Sequence, residues 1–356
     1  MHMADALLAP AVAATMYVAS GAVAGVSVHK LRKDEDDSKK LPVMAVTAAL
    51  VFAGQMINYT IPGTGSSGHM CGGMMLSALL GPQAGFLSMI VILTIQCLFF
   101  GDGGLLALGA NIWNMAFYGC FVGYYLIWRP IMKSNWFCKS TPKAAQRAKI
   151  ILASIIGCIV TLQLGAFSVV VETSLSGITE LPFDAFCALM QPIHLAIGLI
   201  EGLITAAVLT FVYESRPEII KDVDTSDGKV ENKRPLKTVI VILAVLVVLV
   251  GGVLSLFASS NPDGLEWALF GNSDAGYSDN MGLDEEDFGI ASGAADKAAS
   301  IQESTAFLPD YAFSDSDSAA GTTVSGLVGA AMVAVVALAI CAIGGFFKKK
   351  NSSKAK

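Results

Sequence analysis

Residues 62–82 read PGTGSSGHMCGGMMLSALLGP. The stretch is a glycine- and serine-rich loop closed by His69, an apolar run from Met70 to Leu80, and a Gly81-Pro82 turn signal. Eleven residues of helix rise about 16 Å, well short of the roughly 30 Å hydrocarbon core of a bilayer. Whether this short run crosses decides how many helices the chain has and where its polar loops lie. Composition settles the solvent. The 356 residues are 54% hydrophobic and 15% charged, against roughly 25% charged in a soluble domain. Mean hydropathy is +0.62, and apolar runs near span length recur throughout, so the chain reads as an all-α polytopic membrane protein.

Outward from that stretch, apolar runs fall at about 7–28, 41–61, 83–100, 105–128, 150–171 and 185–213, then at 238–258 and 324–347. Charge sets their orientation. Of 23 Lys and Arg, five lie in 30–40, six in 129–149, six in 214–237 and five after Phe347. These four segments are expected to be cytoplasmic. Segment 259–323 holds 13 of the 29 acids and the single base Lys297, which fits the outer side. If 30–40 is inside, Met1 and His69 are outside, and an odd number of crossings must separate His69 from the basic segment at 129. Only two obvious runs lie between them, so Met70–Leu80 is expected to cross as a short helix packed inside protein, where non-helical backbone is tolerated. This gives a seven-helix domain (1–213), a cytoplasmic linker (214–237), a two-helix domain (238–347) with the acidic outer loop 259–323, and a basic cytoplasmic tail (348–356). Residues 271–322, rich in Ser, Asp, Ala and Gly, are expected to be partly without order, a solvated spacer or a weak collector of cations. The first span lacks a basic flank and a cleavage site and is expected to stay. A bulky second residue should also hinder removal of Met1.

Several motifs can be weighed. Gly63 to Gly68 spells GxGxxG with P-loop spacing, but it follows a membrane span, and His69-Met70 replace the required Lys and Ser/Thr. No nucleotide site is expected in this chain. Seven cysteines, six of them in apolar runs and none in a CxxC pair, argue against a disulfide framework or a structural zinc. There are four histidines: His2, His29, His69 and His194. His29 reads as an interfacial residue. A chain beginning X-His offers the terminal amine of Met1, the amide nitrogen of His2 and the imidazole Nδ1 of His2. Together they close five- and six-membered chelate rings on one ion. Loop His69, expected on the same side, could complete a four-nitrogen plane, or the two histidines are unrelated surface residues. Such a plane selects Ni2+, with Co2+ next and Cu2+ as a competitor. Its affinity should fall at low pH because the ion displaces protons. Asp5, Ser66 and Ser67 could orient the ligands, or serve as a helix N-terminal charge and ordinary loop polarity. Polar residues in spans are costly and often functional, and Asn58, Gln55, Gln96, Asn111, Asn114, Gln163, His194 and Glu201 stand out. His194 and Glu201 lie seven apart on one helix face; they suit helix pairing, an entry path or support behind the metal ligands. Met70, Met74 and Met75 read as packing residues.

The N-terminus Met1-His-Met-Ala-Asp-Ala-Leu-Leu-Ala-Pro10 resembles that of the substrate-capture membrane subunit of energy-coupling-factor nickel/cobalt importers. Gly65-Ser-Ser-Gly-His-Met-Cys-Gly-Gly73 is similar to that family's second signature and His194-Leu-Ala-Ile-Gly-Leu-Ile-Glu-Gly202 to a third. The resemblance covers about residues 1–215. Asn261-Pro-Asp-Gly-Leu-Glu-Trp267 resembles the PDGLE signature of the importers' two-helix auxiliary subunit, here fused after the linker. The resemblance implies a seven-helix subunit binding one Ni2+ or Co2+ as cargo on the outer side, through Met1, His2 and His69. It implies as partners a transmembrane coupling subunit and two cytoplasmic ATPase subunits, in the cytoplasmic membrane. Lipid, not nucleic acid, is the expected surrounding. The chain is not expected to be an enzyme: HExxH is absent and the plane leaves no open position. A self-contained channel or secondary transporter would need an internal repeat or an acidic path, and neither is evident.

Overall fold

The structure, a computed structural model, describes residues 1–33, 41–135, 141–177, 182–224, 234–273, 293–313 and 319–354. Among them, six helices are long and apolar enough to cross a membrane: Pro10–Arg32, Pro82–Phe100, Pro142–Ser176, Phe183–Ser215, Leu236–Phe257 and Ala320–Ala339. In chain order the elements are α1 (Pro10–Lys33), α2 (Leu41–Gln55), a small hairpin of β1 (Tyr59–Ile61) and β2 (Ser66–Gly68), α3 (Gly73–Leu80) and α4 (Pro82–Ile95), which runs into a π turn at Gln96–Phe100. A continuous helical run follows as α5 (Leu108–Ile112), a π-helical stretch Trp113–Trp128 and α6 (Arg129–Lys133). Then come α7 (Pro142–Ser176), α8 (Phe183–Ser215), α9 (Leu236–Gly252), α10 (Gly264–Phe270), α11 (Gly293–Thr305) and α12 (Ala319–Lys354).

The short run after His69 is α3, with eight residues, all buried. It rises about 12 Å and cannot span alone. Its ends are satisfied by protein, as membrane depth demands. The Glu201 carboxylate on α8 accepts from the backbone N–H groups of Cys71 at 2.7 Å and Gly72 at 2.9 Å. These groups lead into the N-terminus of α3, where negative charge is favoured. The Gln55 amide donates to the Cys71 carbonyl, and at the far end Lys221 N–H donates to the Ala78 carbonyl. Gly72 has φ +82°, and a Cβ there would meet Val51 at 2.3 Å.

In lipid, apolar side chains gain nothing by leaving the solvent, so helix association rests on close packing and hydrogen bonds. The α7–α8 pair shows the device. Gly198 and Gly202, four apart on α8, lie against Ile159 and Ile155 of α7, and a Cβ on either would stand under 3 Å from backbone. That contact directs His194 and Glu201, both 1% exposed, into the bundle.

The C-terminal part packs on the same body. α9 and α12 lie against α2, and cross at Gly251 and Gly326, where a Cβ on Gly326 would meet the Gly251 carbonyl oxygen. The basic segment 129–149 is less of a loop than its charge suggests: α6 and the first turns of α7 occupy much of it. The acidic segment also differs from the expected spacer. Residues 293–313 are docked, with Gln302 donating to the carbonyls of Cys97 and Gly103, and Tyr311 stacked on Phe100 at 4.9 Å. Phe307, Leu308 and Tyr311 supply apolar contacts that a composition biased to Ser and Asp conceals. Residues 274–292 and 314–318 of that segment lie outside the described residues.

Candidate metal centre

The N-terminal segment is built in before α1 begins. Met3 is fully buried. Asn111 of α5 takes both of its backbone groups, accepting from Met3 N–H at 2.7 Å and donating to its carbonyl at 3.1 Å. Gly104 N–H donates to the same carbonyl. Asp5 accepts from Ala107 N–H, so it ties the N-terminal segment to the 104–107 turn rather than orienting a histidine. With Met3 fixed on both sides, Met1 and His2 are held beside the loop that ends in His69. The His2 and His69 rings stack, centroids 5.1 Å apart and planes 21° apart.

Met1, its side chain buried, places its amine 2.5 Å from Asp263 Oδ2. Asp263 is the N-cap of α10, with its other oxygen accepting from Leu265 and Glu266 N–H in a capping box with Glu266. Burial would lower the pKa of the amine, but the Asp263 charge prevails and holds it above the ordinary value. Burial likewise pushes Asp263 up, yet the amine facing it brings the carboxyl far below the usual range. Glu266 is pushed up, first by the Asp263 charge and then by burial. The remaining residues of the PDGLE stretch hold this arrangement in place. Ser67 N–H donates to the Pro262 carbonyl and Ser67 Oγ to that of Asn261, and Asn272 donates to the Gly65 carbonyl. Ser67 therefore clasps the outer segment, and Ser66 bonds locally to the Ser67 carbonyl; neither meets a ligand ring.

A hydrogen-bond relay fixes which nitrogen of His2 keeps its proton. The Cys71 carbonyl can only accept, so Gln55 must present its NH2 there, at 2.7 Å. Gln55 Oε1 then faces the Gln96 NH2 at 3.0 Å, and Gln96 Oε1 faces His2 Nε2 at 3.3 Å. His2 Nε2 is therefore N–H. Nδ1 is left as the second nitrogen, the one that can close a chelate ring with the Met1 amine and the His2 amide. It lies 3.0 Å from Asp102 Oδ1. When the ring is protonated both nitrogens donate, Nε2 to Gln96 and Nδ1 to Asp102; when the ring is neutral, or an ion has replaced the Nδ1 proton, the relay keeps the remaining proton on Nε2. Burial keeps the His2 pKa below its ordinary value, with the Asp102 charge opposing. Asp102 Oδ2 in turn accepts from Tyr311 Oη at 2.5 Å. His69 Nδ1 faces the Met70 carbonyl at 3.1 Å; it must donate, which leaves Nε2 with the lone pair. Burial first, then the terminal ammonium and His2, lower the His69 pKa to about 3. The ring is thus neutral and ligand-competent at any ordinary pH.

Met1, His2 and His69 come together, in line with the expectation that places them on one side. The three chelating nitrogens of residues 1 and 2 do not converge on one point, because the amine faces Asp263 and His2 Nδ1 faces Asp102. Glu201 serves the backbone of the loop, while His194 lines a small cavity with Met1, His69, Cys71, Leu162 and Asp263. In the sequence Gln55 and Gln96 stand out only as polar residues in apolar spans and Asp263 only within the PDGLE signature, while Asp102 and Tyr311 are not singled out. Acids in glycine-bounded turns on the same side as Met1 were the available signal.

Fold and site together define a many-helix integral membrane protein whose one end gathers imidazoles, a terminal amine and carboxylates. The family described as the cobalt uptake substrate-specific transmembrane region matches residues 2–219, and the PDGLE domain matches residues 237–344. An Archaeoglobus fulgidus protein, named a putative fused nickel transport protein NikMN, is 33% identical over 340 residues, 96% of this chain and 98% of its own. A Lactiplantibacillus plantarum protein, named a probable fused nickel transport protein LarMN, is 42% identical over 35% of this chain and 38% of its own. The crystal structure of a truncated transition metal transporter is similar with TM-score 0.51 at 33% identity, over 60% of this chain and 99% of that one. The chain belongs to the cobalt uptake substrate-specific transmembrane family, a family of cobalt and nickel transport subunits, with a PDGLE domain fused behind it.

Proposed function

We propose that this chain captures Ni2+ or Co2+ at the end carrying Met1 and His69, on the outer side of the cytoplasmic membrane, for import driven by ATP on separate subunits. The observation that carries the reading is the setting of His2: the Gln55–Gln96 relay keeps a proton on Nε2, so Nδ1 is the nitrogen that can exchange its proton for an ion, beside a buried terminal amine and the neutral ring of His69. The ion takes the amine and amide of residues 1 and 2, His2 Nδ1 and His69 Nε2. The amine and amide protons leave on binding; Asp263 already accepts from the amine, and Asp102 stands at the His2 Nδ1 that the ion takes. Arg129 and Lys133 at the opposite end, around Asp222, support a cytoplasmic face there. The chain carries no P-loop context, and on this reading two partner ATPase subunits hydrolyse ATP, coupled through a transmembrane partner.

The test is metal content and binding on the purified chain, after intact mass has verified its N-terminus. His2→Ala, His69→Ala and an N-terminal extension should each abolish high-affinity Ni2+ and Co2+ binding. A chain with an extended, blocked amine that binds as before would overturn the site. Uptake into liposomes by this chain alone would make it a self-contained channel or secondary transporter.

A further inference from the structure

His194 has no part in the four-nitrogen site, yet it is placed as a ligand would be. It lies on α8, 1% exposed. Its Nδ1 is 2.8 Å from the Met190 carbonyl, which can only accept, so Nδ1 carries the proton and Nε2 the lone pair. Nε2 is buried and meets no hydrogen-bonding partner among the described residues. A buried acceptor left unmet is costly, and such groups in membrane spans mark function. The backbone carbonyl behind Nδ1 and the bare Nε2 in front are the pattern of a metal-ligating imidazole. The cavity that His194 lines with Met1, His69 and Asp263 has room for about one water-sized occupant.

The other nitrogens are differently committed. The Met1 amine is paired with Asp263 and His2 Nδ1 with Asp102, so an ion reaches them only by displacing protons and carboxylates. The imidazoles of His69 and His194 are both held as Nε2 lone-pair tautomers by backbone carbonyls. They can take a divalent ion without giving up a proton.

We infer that His194 Nε2 and His69 form a landing site, where an incoming divalent first-row ion is held before the amine, amide and His2 replace His194. The ligand class is an imidazole-seeking ion such as Ni2+ or Co2+; hard Mg2+ and Ca2+, which prefer oxygen, are not retained there. Asp263, in the same cavity, supplies charge but need not let go of the amine for the ion to land. The inference rests on the four-nitrogen reading for the final site.

Rapid mixing of the full chain with Ni2+ tests it. His194→Leu and His194→Gln should both slow association about tenfold or more and slow dissociation in proportion. The equilibrium affinity should stay within about threefold, and the visible spectrum of the loaded protein should not change. Glutamine can hold a water much as histidine does but is a poor ligand. Wild-type association in His194→Gln would therefore overturn the landing role, as would a changed spectrum, which would make His194 a permanent ligand. Failure of the underlying site looks different: the N-terminally extended chain would bind Ni2+ with wild-type affinity, whatever His194 does.

Discussion

Two hydrogen-bond acceptors decide what the site's imidazoles can do. The Cys71 carbonyl fixes Gln55, Gln55 fixes Gln96, and Gln96 keeps the proton on His2 Nε2. Gln96→Leu removes that control. It should weaken Ni2+ binding roughly tenfold, within the range seen when groups behind a ligand are lost. Nitrogen-15 spectra of the neutral His2 ring, taken on the basic side of its titration, should show mixed tautomers, and a single Nε2–H form in the variant would refute the relay. His69 gives a pH prediction. Its folded pKa of about 3 lies below the ordinary 6.5, so between those values the unfolded chain takes up a proton that the folded chain refuses. Stability should be unaffected by this residue above pH 6.5 and fall by up to about 1.4 kcal/mol per unit below it. His2, also lowered, acts in the same sense. Asp263 has the opposite sign: its depressed pKa adds stability that is lost only as pH falls below the ordinary carboxylate value of 3.8. Melting in detergent at pH 7.5 and 5.0 separates them. His69→Asn should flatten the loss over this window, while Asp263→Asn should lower stability at both pH values.

At the scale of elements, α3 is the piece that would not exist without its neighbours. Two buried N–H groups at its entry depend on one carboxylate, Glu201. Glu201→Ala strands both, at about 1–3 kcal/mol each; Glu201→Gln keeps one acceptor and should cost about half as much. Hydrogen exchange at Cys71 and Gly72 reads this directly, and unchanged protection in the alanine variant would show the carboxylate to be dispensable. A short helix buried in protein was legible in the sequence, because the parity argument that calls for it depends on where 23 basic residues fall and not on any local pattern. The convergence of His2 and His69 was legible for the same reason. The partners of those histidines were not. Gln96 sits in an ordinary apolar run, Asp102 in a four-residue break, and Tyr311 in a segment whose composition reads as solvent-facing. Only packing across 94 or more positions makes them neighbours of residues 1 and 2, and periodicity carries no information at that range.

Across the whole molecule, the C-terminal domain is a wall of the site as well as an attachment to it. It touches the capture domain at the α9–α12 crossing on α2, along Ser67 and Gly65, and through Asp263, Gln302 and Tyr311. A protease site placed within 225–233 should therefore yield two fragments that purify as one particle. Adding Gly326→Leu, whose side chain cannot fit against the Gly251 carbonyl, should let them separate. Fragments that part without it would show that the linker alone holds them.

The pairing of Met1 with Asp263 joins positions 262 apart, and this separation is also a delay. A ribosome adds about 5–20 residues per second. Asp102 is thus available to His2 roughly ten to thirty seconds before Asp263 has been made. Through that interval the amine has no carboxylate from the second domain beside it, and the end of the chain made first is fastened by one made much later. Assembly of the pocket is paced by translation, with the fused domain setting its last step.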